Sequence, residues 1–114
     1  VDQLLSAYTD NPQAFSDNTN IPESGNGLPD IIDEIKWELD FLLKMNNADG
    51  TTILKMGNID YGTNDLSPPS ANTGTRYYGS TCTSASASVA ANFAHAAIVL
   101  RRFPALQEYA LILE

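Results

Sequence analysis

The side chains that could do chemistry in this sequence are carboxylates, phenols and the guanidinium of Arg76. Asp33-Glu34 and Glu38-Asp40 are close carboxylate pairs, the raw material of general acid–base catalysis. Their setting favours a plainer role. Asp33, Glu34 and Asp40 fall off the main apolar stripe of a helical segment, which is the usual place of a solvated charged face. Hard oxygens also suit calcium, and Glu23, Asp30 and Asp33 would be the donors, but no EF-hand spacing is present. Capping and loop bracing at a helix start account for the same residues. His95 has no second His or nearby Cys at ligand spacing, so it reads as a packed or hydrogen-bonded helix residue. Cys82 sits just before a helix, where a thiolate could be stabilised, yet it has no His partner and reads as a buried small residue.

Tyr61, Arg76, Tyr77 and Tyr78 are the substrate-binding candidates. Aromatic planes stack on the apolar faces of a ligand, while ligand hydroxyls accept hydrogen bonds from Arg. Tyr77 and Tyr78 could equally fill a core between strand and helix. Trp37 is a stacking residue by type, but its mid-helix place beside Phe41 puts it in a core. No catalytic residue and no metal ligand is assigned.

The elements that must position these groups are mostly helical. Residues 1–9 read as the end of a helix, with Leu4, Leu5 and Tyr8 on one face and Asp10-Asn11-Pro12 as its stop. Residues 10–27 are loop by composition. The strongest helix runs from about Leu28 to Met45, with Pro29 in the first turn and Asp30, Asp33 and Glu34 near the positive end of its dipole. Leu28, Ile31, Ile32, Ile35, Leu39, Leu42 and Leu43 form one stripe. Trp37 and Phe41 add a second, as expected of a helix packed on more than one side. Residues 46–50 are a turn, Thr51 to Met56 a short strand, 57–75 a long loop, and Arg76-Tyr77-Tyr78 another extended piece. A second long helix, Ala-rich, covers about Thr83 to Arg102. Pro104 ends it, and a last helix runs from Ala105 to Glu114 without a cap or Gly stop. That end, and a start at Val1 with neither Met nor a signal-peptide pattern, lead us to expect a piece of a longer protein.

Composition narrows the function. The 114 residues fit one small domain, 43% of them hydrophobic, enough to bury roughly two thirds of the unfolded surface. Fourteen acidic residues against six basic ones give a net charge of -8. That argues against nucleic acid, which needs clustered Lys and Arg, and against an anionic membrane surface. No apolar run reaches the roughly 20 residues of a membrane span. A neutral partner such as a carbohydrate is compatible. One cysteine allows no internal disulfide, and one His with one Cys cannot build the usual structural zinc site.

The segment Asn20-Ile21-Pro22-Glu23-Ser24-Gly25-Asn26-Gly27-Leu28-Pro29-Asp30-Ile31-Ile32-Asp33-Glu34 closely resembles a signature of family 9 glycoside hydrolases. Trp37-Glu38-Leu39-Asp40-Phe41-Leu42-Leu43-Lys44-Met45 resembles that family's continuation into a barrel helix. Asp49-Gly50 with Leu54-Lys55, and Arg76-Tyr77-Tyr78 with Ser80-Thr81 and Asn92-Phe93-Ala94, are similar to the next turn, strands and helix, in family order. The pattern is nearest the subgroup with an N-terminal immunoglobulin-like module. Residues 58–75 and Cys82 depart from it, so the subsite preference of the loop does not carry over.

The resemblance implies an all-α architecture: residues 1–114 would be part, about four helices, of an (α/α)6 barrel, with one or two short extended segments. It implies an inverting hydrolase of β-1,4-glucosidic bonds, acting on cellulose or cello-oligosaccharides. Inversion needs a base carboxylate to activate water and an acid carboxylate opposite. The family's base lies in an Asp-Ala-Gly-Asp motif and its acid near the barrel's C-terminal end, and neither motif occurs in this sequence. The chain by itself is therefore expected to be inactive, its partners being β-1,4-glucan and the remainder of the catalytic domain. A secreted parent follows from the same resemblance, with no cofactor in this chain and calcium allowed in the parent. Two other readings stay open: a non-catalytic helical carbohydrate-binding or interaction module, and a family member acting as an exo-cello-oligosaccharidase or a glucosamine-releasing enzyme.

Overall fold

A computed structural model of the chain describes residues 1–59 and 67–114. It contains helices α1 (Asp2–Asp10), α2 (Asp30–Met45), α3 (Thr83–Leu100) and α4 (Gln107–Ile112), and strands β1 (Met56–Gly57) and β2 (Tyr77–Tyr78). Short 3-10 turns at Pro12–Ala14, Pro69–Ala71 and Pro104–Leu106 complete it. The chain divides into two compact units, one of residues 1–44 and 87–114, the other of residues 45–86. The mostly helical content, with few strands, is that of a piece of the expected barrel.

In the helical unit each boundary has a local cause. Asn11 caps α1, its N–H bonding the Ala7 carbonyl, and Pro12 starts a 3-10 turn in its place. Helix α2 begins where Pro29 offers its carbonyl to the Ile32 N–H at 2.8 Å. Asp30 and Asp33 lie in its first turn and Lys44 in its last, each sign matched to the dipole end it faces. Helix α3 closes in tight turns from Arg101, Arg102 and Phe103 before Pro104. The last helix is split: Pro104–Leu106 is 3-10 and only Gln107–Ile112 is α-helical, because Pro104 favours a helix start but withholds a donor.

One apolar cluster holds this unit. Leu5 of α1, Ile32, Ile35 and Leu39 of α2, Val89, Phe93, Ala96, Ala97, Val99 and Leu100 of α3, and Leu106, Ala110 and Leu113 pack together. Leu5, Ile32, Ile35, Leu39 and Leu100 are fully buried, each contributing about 1.5–3 kcal/mol against exposure. Alanines at 96 and 97 let α3 approach its neighbours closely. Tyr8 stacks obliquely on Phe15 and Phe103, with ring centres 6.2 and 5.9 Å apart. By length and composition α3 could cross a membrane, yet it places six residues in this cluster.

The second unit is an antiparallel ribbon. Asn46 pairs with Thr52 around a turn closed by Gly50, whose φ of 82° a side chain would strain. Ile53 then bridges Thr81, the Leu54 N–H bonds the Ser80 carbonyl at 2.9 Å, and Met56 and Gly57 pair with Tyr78 and Tyr77. The expected strand at 51–56 is thus realised as a hairpin followed by two paired residues. Thr52 is buried because both its polar ends are used, its N–H by Ser86 Oγ and its hydroxyl by Asn46 Oδ1.

Candidate functional site

The ribbon carries three of the four proposed substrate-binding residues; Tyr61 lies outside the described residues. Arg76, Tyr77 and Tyr78 are all exposed, the two tyrosines by 51% and 63%. A core role for them within this chain is therefore wrong. Successive residues of a strand point to opposite faces, so the two phenols serve different faces. Tyr78 shares its face with its partner Met56, and Tyr77 shares the other with Gly57. Among the described residues, only Lys55 Cε lies within contact distance of where a side chain on Gly57 would begin. Met56, Leu54 and Ile59 are exposed as well, so the ribbon offers apolar area along its length.

Such a ribbon can bind, and its nearby groups hold the backbone. Asp49 accepts from the Thr51 hydroxyl and N–H at 2.7 and 2.9 Å, and those bonds keep its carboxyl below the usual range. Cys82 corrects the buried reading. It is half-buried beside Ser84 Oγ at 3.3 Å and the Ala85 N–H at 3.4 Å, at the start of α3, and the bond with Ser84 and then that N–H lower its pKa.

The carboxylates of the α2 entry are structural. Asp30 is buried, and its Oδ2 accepts from the Thr19 N–H, the Thr19 hydroxyl and the Ser24 hydroxyl. Burial alone would raise its pKa, but these bonds together hold it below the ordinary value. Asp17 accepts from the N–H groups of Gly25 and Gly27, whose φ values of 92° and 91° bend the loop around it. Asp33 accepts from Asn26 Nδ2 at 3.0 Å. Glu23, Asp30 and Asp33 are not brought together as ligands: among the described residues no three His, Cys, Asp or Glu side chains are placed to share a metal ion.

Asp40 is not the freely solvated charge its spacing implies. It accepts from Lys36 Nζ at 2.8 Å and from the Tyr109 hydroxyl at 2.7 Å, and Lys36 lies 4.7 Å from the centre of the Tyr109 ring. Burial, and then the bond to Asp40, push the Tyr109 phenol far above its ordinary value. Asp40 is itself held low, the bonds from Lys36 and Tyr109 outweighing its own desolvation. The Lys36–Asp40 spacing is visible in sequence; Tyr109, 69 residues on, gives no local signal. His95 is hydrogen-bonded, as its isolation implied, with Nδ1 3.0 Å from Asp2 Oδ1. Trp37 departs from its core reading: in this chain it is 73% exposed.

Known proteins place this geometry. In solved structures, the chain is similar to a metagenome-derived glycoside hydrolase family 9 endoglucanase, with a TM-score of 0.88 and 37% identity, covering 97% of this chain and 20% of that one. It is similar to GH family 9 endoglucanase J30, with a TM-score of 0.84 and 30% identity over 98% of this chain and 21% of that one. Among curated proteins it matches Endoglucanase C of Cellulomonas fimi, 39% identical over 56 residues, 44% of this chain and 5% of that protein. It also matches Cellulose 1,4-beta-cellobiosidase of Acetivibrio thermocellus, 53% identical over 36 residues, 31% of this chain and 4% of that protein. The chain thus spans about a fifth of the solved relatives and about a twentieth of the curated ones. The profile of Glycosyl hydrolase family 9 matches residues 1–113, and the chain belongs to that family.

Proposed function

We propose that this chain is part of the catalytic domain of an inverting β-1,4-glucanase, a secreted cellulase whose acid and base carboxylates lie on other segments of the polypeptide. The observation that carries this reading is the likeness over 97% of the chain to a family 9 endoglucanase, combined with the sequence match through residues 1–113. In it, the helical unit is an arc of the barrel frame, and the ribbon with Arg76, Tyr77 and Tyr78 contributes to the glucan-binding surface, together with Tyr61. Exposure of both phenols beside apolar side chains supports that role.

The test is hydrolysis of a soluble cellulose derivative by the full-length product of the gene. Reducing ends should appear with inverted anomeric configuration by proton NMR, and the 114-residue polypeptide alone should release none. Activity from the 114 residues alone, or a full-length product inert on β-1,4-glucans, sinks the proposal. The match to a cellobiosidase favours a second reading, attack from a chain end. Viscosity separates the two: mid-chain cutting collapses it at low conversion, whereas release of cellobiose does not.

A further inference from the structure

One face of the ribbon alternates long side chains with glycines. Residues two apart in a strand share a face, so Lys55 and Gly57 lie together on one strand, and Tyr77 and Gly79 on the other. Gly57 pairs with Tyr77, and the Gly79 N–H bonds the Lys55 carbonyl at 2.7 Å. Each long side chain of this face thus stands opposite a glycine. The Lys55 stem uses the room. Its Cβ lies 3.7 Å from where a side chain on Gly79 would begin, and its Cε 3.4 Å from where one on Gly57 would begin. The stem therefore runs along the ribbon toward the Gly57–Tyr77 pair, and the ammonium, bonded to Cε, ends close to it. Tyr77 is half exposed there, while Leu54, Met56 and Tyr78 lie on the other face.

We propose that Lys55 binds glucan, its ammonium donating to hydroxyl oxygens of a glucosyl unit stacked on Tyr77, and that Gly57 is a positioning residue that keeps the path of the Lys55 stem clear. The proposal rests on the glucanase reading above and adds these two residues to it. A glycine within a strand marks a place where a ligand or another backbone comes close. The phenol plane of Tyr77 takes the apolar face of a sugar ring, and its cross-strand neighbour at Gly57, about 5 Å away, raises no side chain against that ring. Lys offers three donors and no acceptor, and a glucan is lined with hydroxyl acceptors. The apolar stem lies along the ribbon while the charged head stays in water, so the donor is aimed before the ligand arrives. A glucan is also uncharged, which suits a chain of net charge -8 that repels anions.

Steady-state kinetics of the full-length gene product on a soluble cello-oligosaccharide test this. Lys55→Met should raise KM about tenfold while kcat changes by less than about twofold, the pattern of a contact made equally in ground and transition states. Lys55→Arg keeps a charged donor and should recover most of the loss. Gly57→Val should raise KM by obstructing the stem, and should add nothing further in the Lys55→Met background. An unchanged KM in Lys55→Met overturns the proposal. So do additive losses at Lys55 and Gly57, or a loss that disappears in about 1 M salt, which marks an anionic ligand. Should Gly57→Val not fold, the pair Lys55→Met and Lys55→Arg decides. The natural protein on the same substrate separates the two proposals. If it is inert, the glucanase reading falls and this one with it; if it is active and indifferent to Lys55→Met, this one falls alone.

Discussion

The entry to α2 and the ribbon of residues 52–57 and 77–81 are both short, irregular stretches, yet they are held in different ways. At the α2 entry the side chains point inward and serve the backbone: Asp17 gathers two glycine N–H groups, and Asp30 gathers Thr19 and Ser24 while almost wholly buried. In the ribbon the backbone pairs with itself, through Met56–Tyr78 and Gly57–Tyr77, and the side chains of Leu54, Met56, Tyr77 and Tyr78 are exposed. The first arrangement fixes a shape at the expense of sequence freedom. The second leaves residues such as Tyr77 and Tyr78 exposed and little constrained by packing.

That contrast can be broken or sharpened by substitution. The largest effect is expected at Leu39→Ala, which empties the fully buried side of α2 and should lower stability by about 2–5 kcal/mol in urea denaturation. Gly27→Ala forces a side chain onto a φ of 91° and should cost about 1–3 kcal/mol. Gly57→Ala in the ribbon should stay within about 0.5 kcal/mol, since among the described residues only Lys55 Cε lies near; equal losses at the two glycines would erase the distinction. Tyr78→Ala should likewise leave stability within about 0.5 kcal/mol, while weakening cello-oligosaccharide binding by the full-length protein about tenfold in calorimetry, the worth of roughly 1.4 kcal/mol. The smallest effect concerns pH. Because Asp30 is held below its unfolded value of 3.8, its contribution to stability is complete above that pH and is lost as pH falls through the lower folded value. Thr19→Ala should move the acid-unfolding midpoint upward, and an unchanged midpoint would show that the buried carboxylate is not held as described.

The helices were legible because their signals are local. The stripe from Leu28 to Leu43 has one period, Pro29 and Pro104 mark starts, and the observed α2 and α3 fall within two residues of the expected bounds. The family was legible for a similar reason: in the run Asn20–Glu34, Gly25, Gly27, Pro29, Asp30 and Asp33 each have a structural task. What could not be read depends on contacts distant in sequence or on burial set by the tertiary fold. Asp40 looked solvated because Tyr109 lies 69 residues away. Cys82 looked buried because a small residue before a helix says nothing of what covers it. Trp37 looked packed because its second apolar strip implies a partner, yet among the described residues it stays 73% exposed.

The bond from Tyr109 to Asp40 has a consequence for how such a protein can change. It ties the last helix to α2 within the helical unit, while residues 45–86 belong to a unit of their own. The entropy of closing a loop grows only with the logarithm of its length, about 0.6 kcal/mol for each doubling. An excursion of this kind can be lengthened, shortened or re-lettered by evolution with little strain on the helices that carry it, so new specificities can be tried out on a chassis that need not be rebuilt each time.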